Sequence, residues 1–437
     1  MFRKATKDLI RWKSMPGRKP LIIRGARQVG KTWLMKEFAR TEYQSCAYIN
    51  FDNNARMQEL FTGDLNVERL ITALQIEAGV RIEAGNTLLV FDEVQEVPRA
   101  LTSLKYFCEN APQYHVVAAG SLLGVALHPG TSFPVGKVDF LDLYPLDFCE
   151  FMLATGNETL VQLLQSLDFA LIRSFKSRYV DLLKQYCYVG GMPEVVAHFS
   201  VSADYPAVRE VQKKILLAYE QDFSKHAPHE AVPRIRMVWA SIPAQLAKEN
   251  RKFIYGLIRQ GARARDYELA MSWLLDCGLV YKVGRVAKPE MPLMAYQDFD
   301  AFKLFVLDVG LLAALSNLDA ASLLQGSQIF TEFKGTLTEQ YVLQELKASG
   351  QIQPFYWSAE KSTGEIDFIF QWGSDIVPLE VKAAENLQAK SLKNYYLKYR
   401  PKQAVRTSLS DYRLEEWLTN LPLYTISALP EILEKRP

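Results

Sequence analysis

Cysteine and histidine are scarce in this 437-residue chain, at five residues each. The cysteines (Cys46, Cys108, Cys149, Cys187 and Cys277) are scattered, and none forms a C-x-x-C pair. That spacing speaks against a zinc ribbon or a disulfide framework and fits reduced cytosolic thiols. His226 and His229 are near neighbours, but Pro228 interrupts the helix that would pair them, and no third ligand lies close in sequence. Long apolar runs are also missing. No stretch approaches the ~18–20 apolar residues of a membrane span. The basic start MFRKATKDLIRWKSMPGRKP lacks the apolar core of a secretory signal. These absences set the expectation of a cytoplasmic protein with no membrane partner. Charge of one sign is lacking too: 51 Lys and Arg against 49 Asp and Glu leave +2, so any basic surface must be local. The remaining composition, 49% apolar and 23% charged, is that of a globular protein. The length calls for roughly two to four domains.

The stretch LIIRGARQVGKTWLMKEFA is an apolar run, a glycine-bounded loop and a helix-like segment. Its loop, Gly25–Thr32, matches G-x-x-x-x-G-K-[ST] in full. In such a loop the backbone N–H groups of Gly25, Ala26, Arg27, Gln28, Val29 and Gly30 curl around phosphates. Lys31 reaches the β- and γ-phosphates, and the Thr32 hydroxyl ligates Mg²⁺. The following helix adds its positive end. Further on, NTLLVFDEVQEV has the continuous apolar character of a buried parallel strand, ending in Asp92 and Glu93. Asp92 is expected beside the loop's metal, and Glu93 is a candidate base for the attacking water. A third strand, YHVVAAGS, ends at Ser121, either a γ-phosphate sensor or a plain helix N-cap.

These segments resemble the AAA+ and related P-loop ATPases. More narrowly, RGARQVGKT, LLVFDEVQEVP, AAGSLLGVAL and FPVGKVDFLDLYPLDFCEFM resemble a prokaryotic family of AAA-type ATPases fused to a C-terminal domain of unassigned function. The resemblance implies ATP and Mg²⁺ as ligands, ATP hydrolysis, and self-association as an option. The family pattern often has arginine where this chain has Lys137. Lysine keeps the charge but loses the planar fork, so no arginine finger is assigned.

The middle of the chain reads as helical. Gly190-Gly191 and Pro193 mark a sharp turn before a helix, resembling the same family's GGxPE element. From Arg234 to Val286 the pattern is helices followed by short strands, which looks like a winged helix-turn-helix. Arg259, Arg263 and Arg265 would meet a phosphate backbone there, unless the module packs against protein instead. KLFVLDVGLLAALSN reads as a strand-to-helix connector with Asp308 as the cap.

The last segment runs helix, strand, strand, strand, helix, with Glu339 in the first helix and GEIDFIFQWGSDIVPLEVK in the strands. A two-residue turn at Gly373–Ser374 would set Asp367 opposite Glu380 and Glu365 opposite Lys382. Facing carboxylates repel unless a hard cation such as Mg²⁺ or Mn²⁺ lies between them. The alternatives are a cross-strand Glu365–Lys382 ion pair and two offset surface acids. The arrangement resembles the restriction-endonuclease-like PD-(D/E)xK fold. On that resemblance Glu339 is the helix acid, Asp367 and Glu380 hold the metal, and Glu380 with Lys382 forms the catalytic E-x-K pair. From Lys382 to Arg406 the chain is basic, with Tyr395, Tyr396 and Tyr399 interleaved, which suits either DNA or a packed core.

The expected fold is therefore α/β and multidomain. A P-loop ATPase domain spans 1–155, a helical lid or connector 156–232, and a winged helix-like domain 233–290. A connector covers 291–325 and a restriction-endonuclease-like domain 326–437. The expected function is ATP hydrolysis coupled to nucleic-acid binding or metal-dependent DNA cleavage. The alternative is an ATP-dependent switch or scaffold with an inactive nuclease fold acting on protein partners.

Overall fold

Short apolar runs separated by amphipathic stretches dictate a layered α/β architecture. The computed structural model describes residues 1–120, 133–248, 251–325, 331–359, 364–385 and 390–435. The chain divides into two compact units, one of residues 2–144 with 276–278, the other of residue 1 with 145–275 and 279–437.

In the first unit five strands, β1 (Leu21–Arg24), β2 (Ser45–Asn50), β3 (Thr87–Asp92), β4 (His115–Ala119) and β5 (Asp139–Asp142), form a parallel sheet in the order β2-β3-β4-β1-β5. β3 and β4 are buried along their whole length, as their unbroken apolar character requires. Phe51, Phe61 and Phe91 meet edge to face beneath the sheet, with Phe107 against Phe91. Each such pair contributes about 0.5–1.5 kcal/mol beyond its buried area. The order puts β4 between β1 and β3, so the loop after β1 and the acids after β3 flank the C-terminal end of β4.

The second unit begins with helices and ends with an eight-stranded mixed sheet. Its strands are β6 (Val280–Val286), β7 (Gln297–Val306), β8 (Phe355–Ser358), β9 (Glu365–Trp372), β10 (Asp375–Val381), β11 (Val405–Ser408), β12 (Arg413–Leu414) and β13 (Thr419–Pro422). They run in the order β12-β13-β11-β10-β9-β8-β6-β7. The helices expected ahead of a winged helix are present at Val232–Leu246 and Ala264–Asp276. The strands after them are not a separate wing, because β6 pairs in parallel with β8. One sheet thus crosses the boundaries expected at 290 and 325. Parallel partners need no shared turn, so local sequence carries no mark of this pairing.

The β9–β10 hairpin keeps the register expected from a Gly373–Ser374 turn, from Asp375 opposite Trp372 to Leu379 opposite Phe368. Gly373 takes the positive φ, 55°, that such a turn needs. The ladder stops one pair short of Asp367 and Glu380. There the Asp367 carboxylate itself accepts the Val381 N–H at 2.7 Å.

A buried polar knot organises the helical part. Asp308 caps the helix Val309–Leu315, accepting the Leu311 N–H at 2.9 Å, as expected of it. Its carboxylate also accepts the Gly191 N–H at 2.6 Å. The GGxPE-like element explains itself here: a Cβ at Gly191 would lie 2.0 Å from the Leu146 carbonyl oxygen. The helix Pro193–Ser202 then starts with proline in its first turn.

Candidate functional site

The loop after β1 leads into the helix Lys31–Glu42, whose N-cap Gly30 is left-handed at φ 94°. Gly25 has φ 150°, and a Cβ there would sit 2.3 Å from the Leu143 carbonyl oxygen, so only glycine lets the loop turn this close to the chain. Val29 is fully buried beneath the loop. Lys31 folds back over it, donating to the carbonyls of Gly25 at 2.9 Å and Ala26 at 2.8 Å. Burial lowers the Lys31 pKa to about 8, against the opposing pull of Glu93 and Asp92.

Thr32 donates its hydroxyl to Asp92 Oδ2 at 2.7 Å, so the expected metal-binding pair from two distant motifs is brought together. The same oxygen accepts the Tyr48 hydroxyl at 2.8 Å. A hard divalent cation prefers such an all-oxygen donor set, and the donors fit Mg²⁺. Glu93, at φ 51°, has its carboxylate held by the Gln95 side-chain amide at 2.6 Å. Ser121 lies outside the described residues. Lys137 is ion-paired with Glu109 at 2.9 Å on the surface.

Sequence reasoning missed Tyr48, Gln95 and Arg3. Tyr48 reaches Asp92 because β2 pairs with β3 in register Asn50–Asp92, which no local pattern announces. Arg3 is buried and donates to the carbonyls of Val29, at 3.0 Å, and Tyr144.

A second cluster lies wholly within the second unit. Glu339, on the helix Thr331–Ala348, and Glu380 are buried, and Asp367 joins them from β9. Glu339 and Asp367 are close enough for each to shift the other's titration. Lys382 is ion-paired with Glu380 at 2.6 Å rather than with Glu365. Glu365 instead meets Lys303 of β7 at 2.6 Å. The Lys303 ammonium, with no exposure to solvent, also lies 3.7 Å from Glu339. Arg251 forms an ion pair with Glu339. Burial and the Asp367 charge raise the Glu339 pKa to about 8. For Asp367 burial pushes upward, but Lys303, Glu339 and Arg251 outweigh it and hold the pKa low. Burial, then Asp367, raises Glu380 to about 7.

The cluster borders a cavity of about 880 Å³, whose lining includes Lys248, Arg251, Lys252, Glu365, Asp367 and Lys382. Among the described residues no three His, Cys, Asp or Glu side chains form a group that could hold a metal ion. Lys303 and Arg251 were not singled out from the sequence as site residues. The available signal was Lys303 itself, one cation in the apolar strand AFKLFV. In the basic segment Arg406 is buried against Asn420, and Tyr395 packs on Trp357 in the core. Neither belongs to a nucleic-acid surface.

A parallel sheet with a phosphate loop after its first strand and an acidic pair after a neighbouring strand defines the P-loop ATPase class. Residues 17–152 match the model of an AAA domain, which supports an ATPase of AAA type in this segment. Residues 180–322 and 334–426 match two domains of unknown function, DUF8612 and DUF4143. Among solved structures, the Walker-type ATPase of Pyrococcus abyssi is similar at 15% identity and a TM-score of 0.44, covering 72% of this chain and 95% of its own. The Orc1 protein of Aeropyrum pernix, solved with DNA, follows at 16% identity and a TM-score of 0.29, covering 73% and 93%. The Cdc6p protein of Pyrobaculum aerophilum has 14% identity and a TM-score of 0.24, covering 74% and 92%. No curated protein matches. Among the described residues, no helix is long and apolar enough to cross a membrane.

Proposed function

We propose that the chain is an ATP-dependent switch. Its first unit binds and hydrolyses ATP with Mg²⁺, and its C-terminal cavity engages a polyanion such as DNA. The observation that carries the ATPase half is the Thr32–Asp92 hydrogen bond of 2.7 Å beside a lysine already held over the phosphate loop. Lys31 and the loop N–H groups would bind the phosphates, and Thr32 with Asp92 would hold Mg²⁺. When bound, that ion neutralises charge on the transferred phosphoryl group. Glu93 would orient the attacking water, and Gln95 positions its carboxylate. Self-association belongs to the same reading and is checked by the mass in solution with and without ATP.

The polyanion half rests on exposed Lys248 and Lys252 at the cavity, and on exposed Arg259, Arg263 and Arg265. A second reading, metal-dependent phosphodiester cleavage, has one observation in its favour. Glu380 Oε2 is buried without a hydrogen-bond partner beside the Glu380–Lys382 pair.

Phosphate release and fluorescent-nucleotide titration test the ATPase half. Lys31→Ala is expected to lose binding and turnover. Glu93→Gln is expected to keep binding while kcat falls about 100-fold or more. Unchanged turnover in Lys31→Ala refutes the assignment. Replacing Lys248 and Lys252 together by Glu should lower the salt slope of DNA binding by about 2. Binding that ignores salt contradicts the polyanion half.

A further inference from the structure

We propose that the Lys303 ammonium is the resident cation of the C-terminal acidic cluster and takes the place that a divalent metal would fill. This rests on the switch reading of the cavity over the cleavage reading.

The argument starts from a strand residue that should not be where it is. Lysine is almost never fully buried unless paired, and Lys303 has 0% exposure on β7. Its ammonium lies 2.6 Å from Glu365 and 3.7 Å from Glu339, with the Tyr356 ring face 5.0 Å away. Arg251 meets Glu339 from the other side, and Lys382 holds Glu380. Four carboxylates therefore already face three fixed cations. A metal ion would have to enter beside an ammonium already fixed among the same acids, and the two cations would repel. The carboxylate arrangement also fails the metal: Asp367 spends one oxygen on the Val381 N–H, and Glu339 gives one oxygen to Arg251. Glu380 Oε2 and Glu339 Oε2 are buried oxygens without hydrogen-bond partners, and two such oxygens fall well short of the roughly six or more ligands a hard divalent cation takes.

The position of Lys303 gives the substitution its logic. It enters the cluster from β7, outside the segment that carries Glu339, Asp367, Glu380 and Lys382. It reaches them only because β7 joins the same sheet through β6 and β8. A charge supplied by another strand of the sheet offsets part of the acidic charge, independent of metal supply.

The experiment is a Mn²⁺ titration of the full chain without nucleotide, read by electron paramagnetic resonance and by thermal melting. Omitting nucleotide removes the phosphate ligands of the Thr32–Asp92 site, and loss of signal with Asp367→Asn assigns bound Mn²⁺ to the C-terminal cluster. Wild type is expected to take up no stoichiometric Mn²⁺ and to melt at an unchanged temperature. Lys303→Met keeps the length of the stem and removes the charge. It is expected to acquire a Mn²⁺ site and a metal-dependent rise in melting temperature, both lost on adding Asp367→Asn. Stoichiometric Mn²⁺ in wild type, abolished by Asp367→Asn, overturns the proposal, and this arm stands even where Lys303→Met fails to fold. A folded Lys303→Met that binds no Mn²⁺ also overturns it. ATP turnover is measured on the same samples, so failure here is separable from failure of the ATPase reading.

Discussion

Lys31 shows how one side chain carries both the promise and the restraint of the nucleotide site. Its ammonium is spent on two loop carbonyls, and burial lowers its pKa to about 8. The sign follows directly: the group is a cation below that pH and loses its charge above it. ATP affinity should therefore fall as pH rises through about 8, by up to tenfold per unit once the amine is neutral. Nucleotide titrations between about pH 7 and 9 check this, and a flat profile contradicts it. The phosphate loop was readable from sequence because its chemistry is consecutive: Gly25, Gly30, Lys31 and Thr32 are fixed by one turn. Tyr48 and Lys303 were not, for their partners lie 44 residues away at Asp92 and, for Lys303, on a strand three places off in the sheet.

At the scale of elements, Asp308 joins the Gly190–Gly191 turn, the helix it caps and, through Gln344, the helix Thr331–Ala348. Burial raises its pKa to about 6, opposed by the Gly191 and Leu311 N–H groups. The raised value means that the folded state holds its proton more tightly than the unfolded chain, whose aspartate titrates near 3.9. This residue's contribution to stability is thus greatest at low pH and falls as pH rises from about 4 to about 6. Asp308→Asn should remove that slope and, by leaving a buried N–H without its acceptor, cost about 1–3 kcal/mol at neutral pH. Urea midpoints of both proteins across that range are the measurement. An identical slope in the variant refutes the assignment. The hairpin β9–β10 was legible at this scale, because alternation and a turn glycine are local signals. Where pairing ends, and that Glu365 turns to β7 instead of Lys382, depends on a third strand that local pattern does not reveal.

For the whole molecule, the eight-stranded sheet makes residues 326–437 an incomplete piece. Expressed alone they would lack β6 and β7, uncovering the edge of β8 and leaving Glu339 and Glu365 without Lys303. Such a fragment should show no cooperative unfolding by circular dichroism, whereas 145–437 should; a cooperative transition in the shorter piece would disprove this. The two-unit division is partly visible in sequence, since the phosphate-loop motifs end before Tyr144 and the pattern then turns helical. Arg3 adds a last point, about chain entropy. Its guanidinium spans 26 residues to Val29 and 141 to Tyr144. Closing the longer loop costs only about 1.5 kcal/mol more than the shorter. Separation along the chain is thus a weak obstacle to such a clasp, and what it demands is the right residue at the third position.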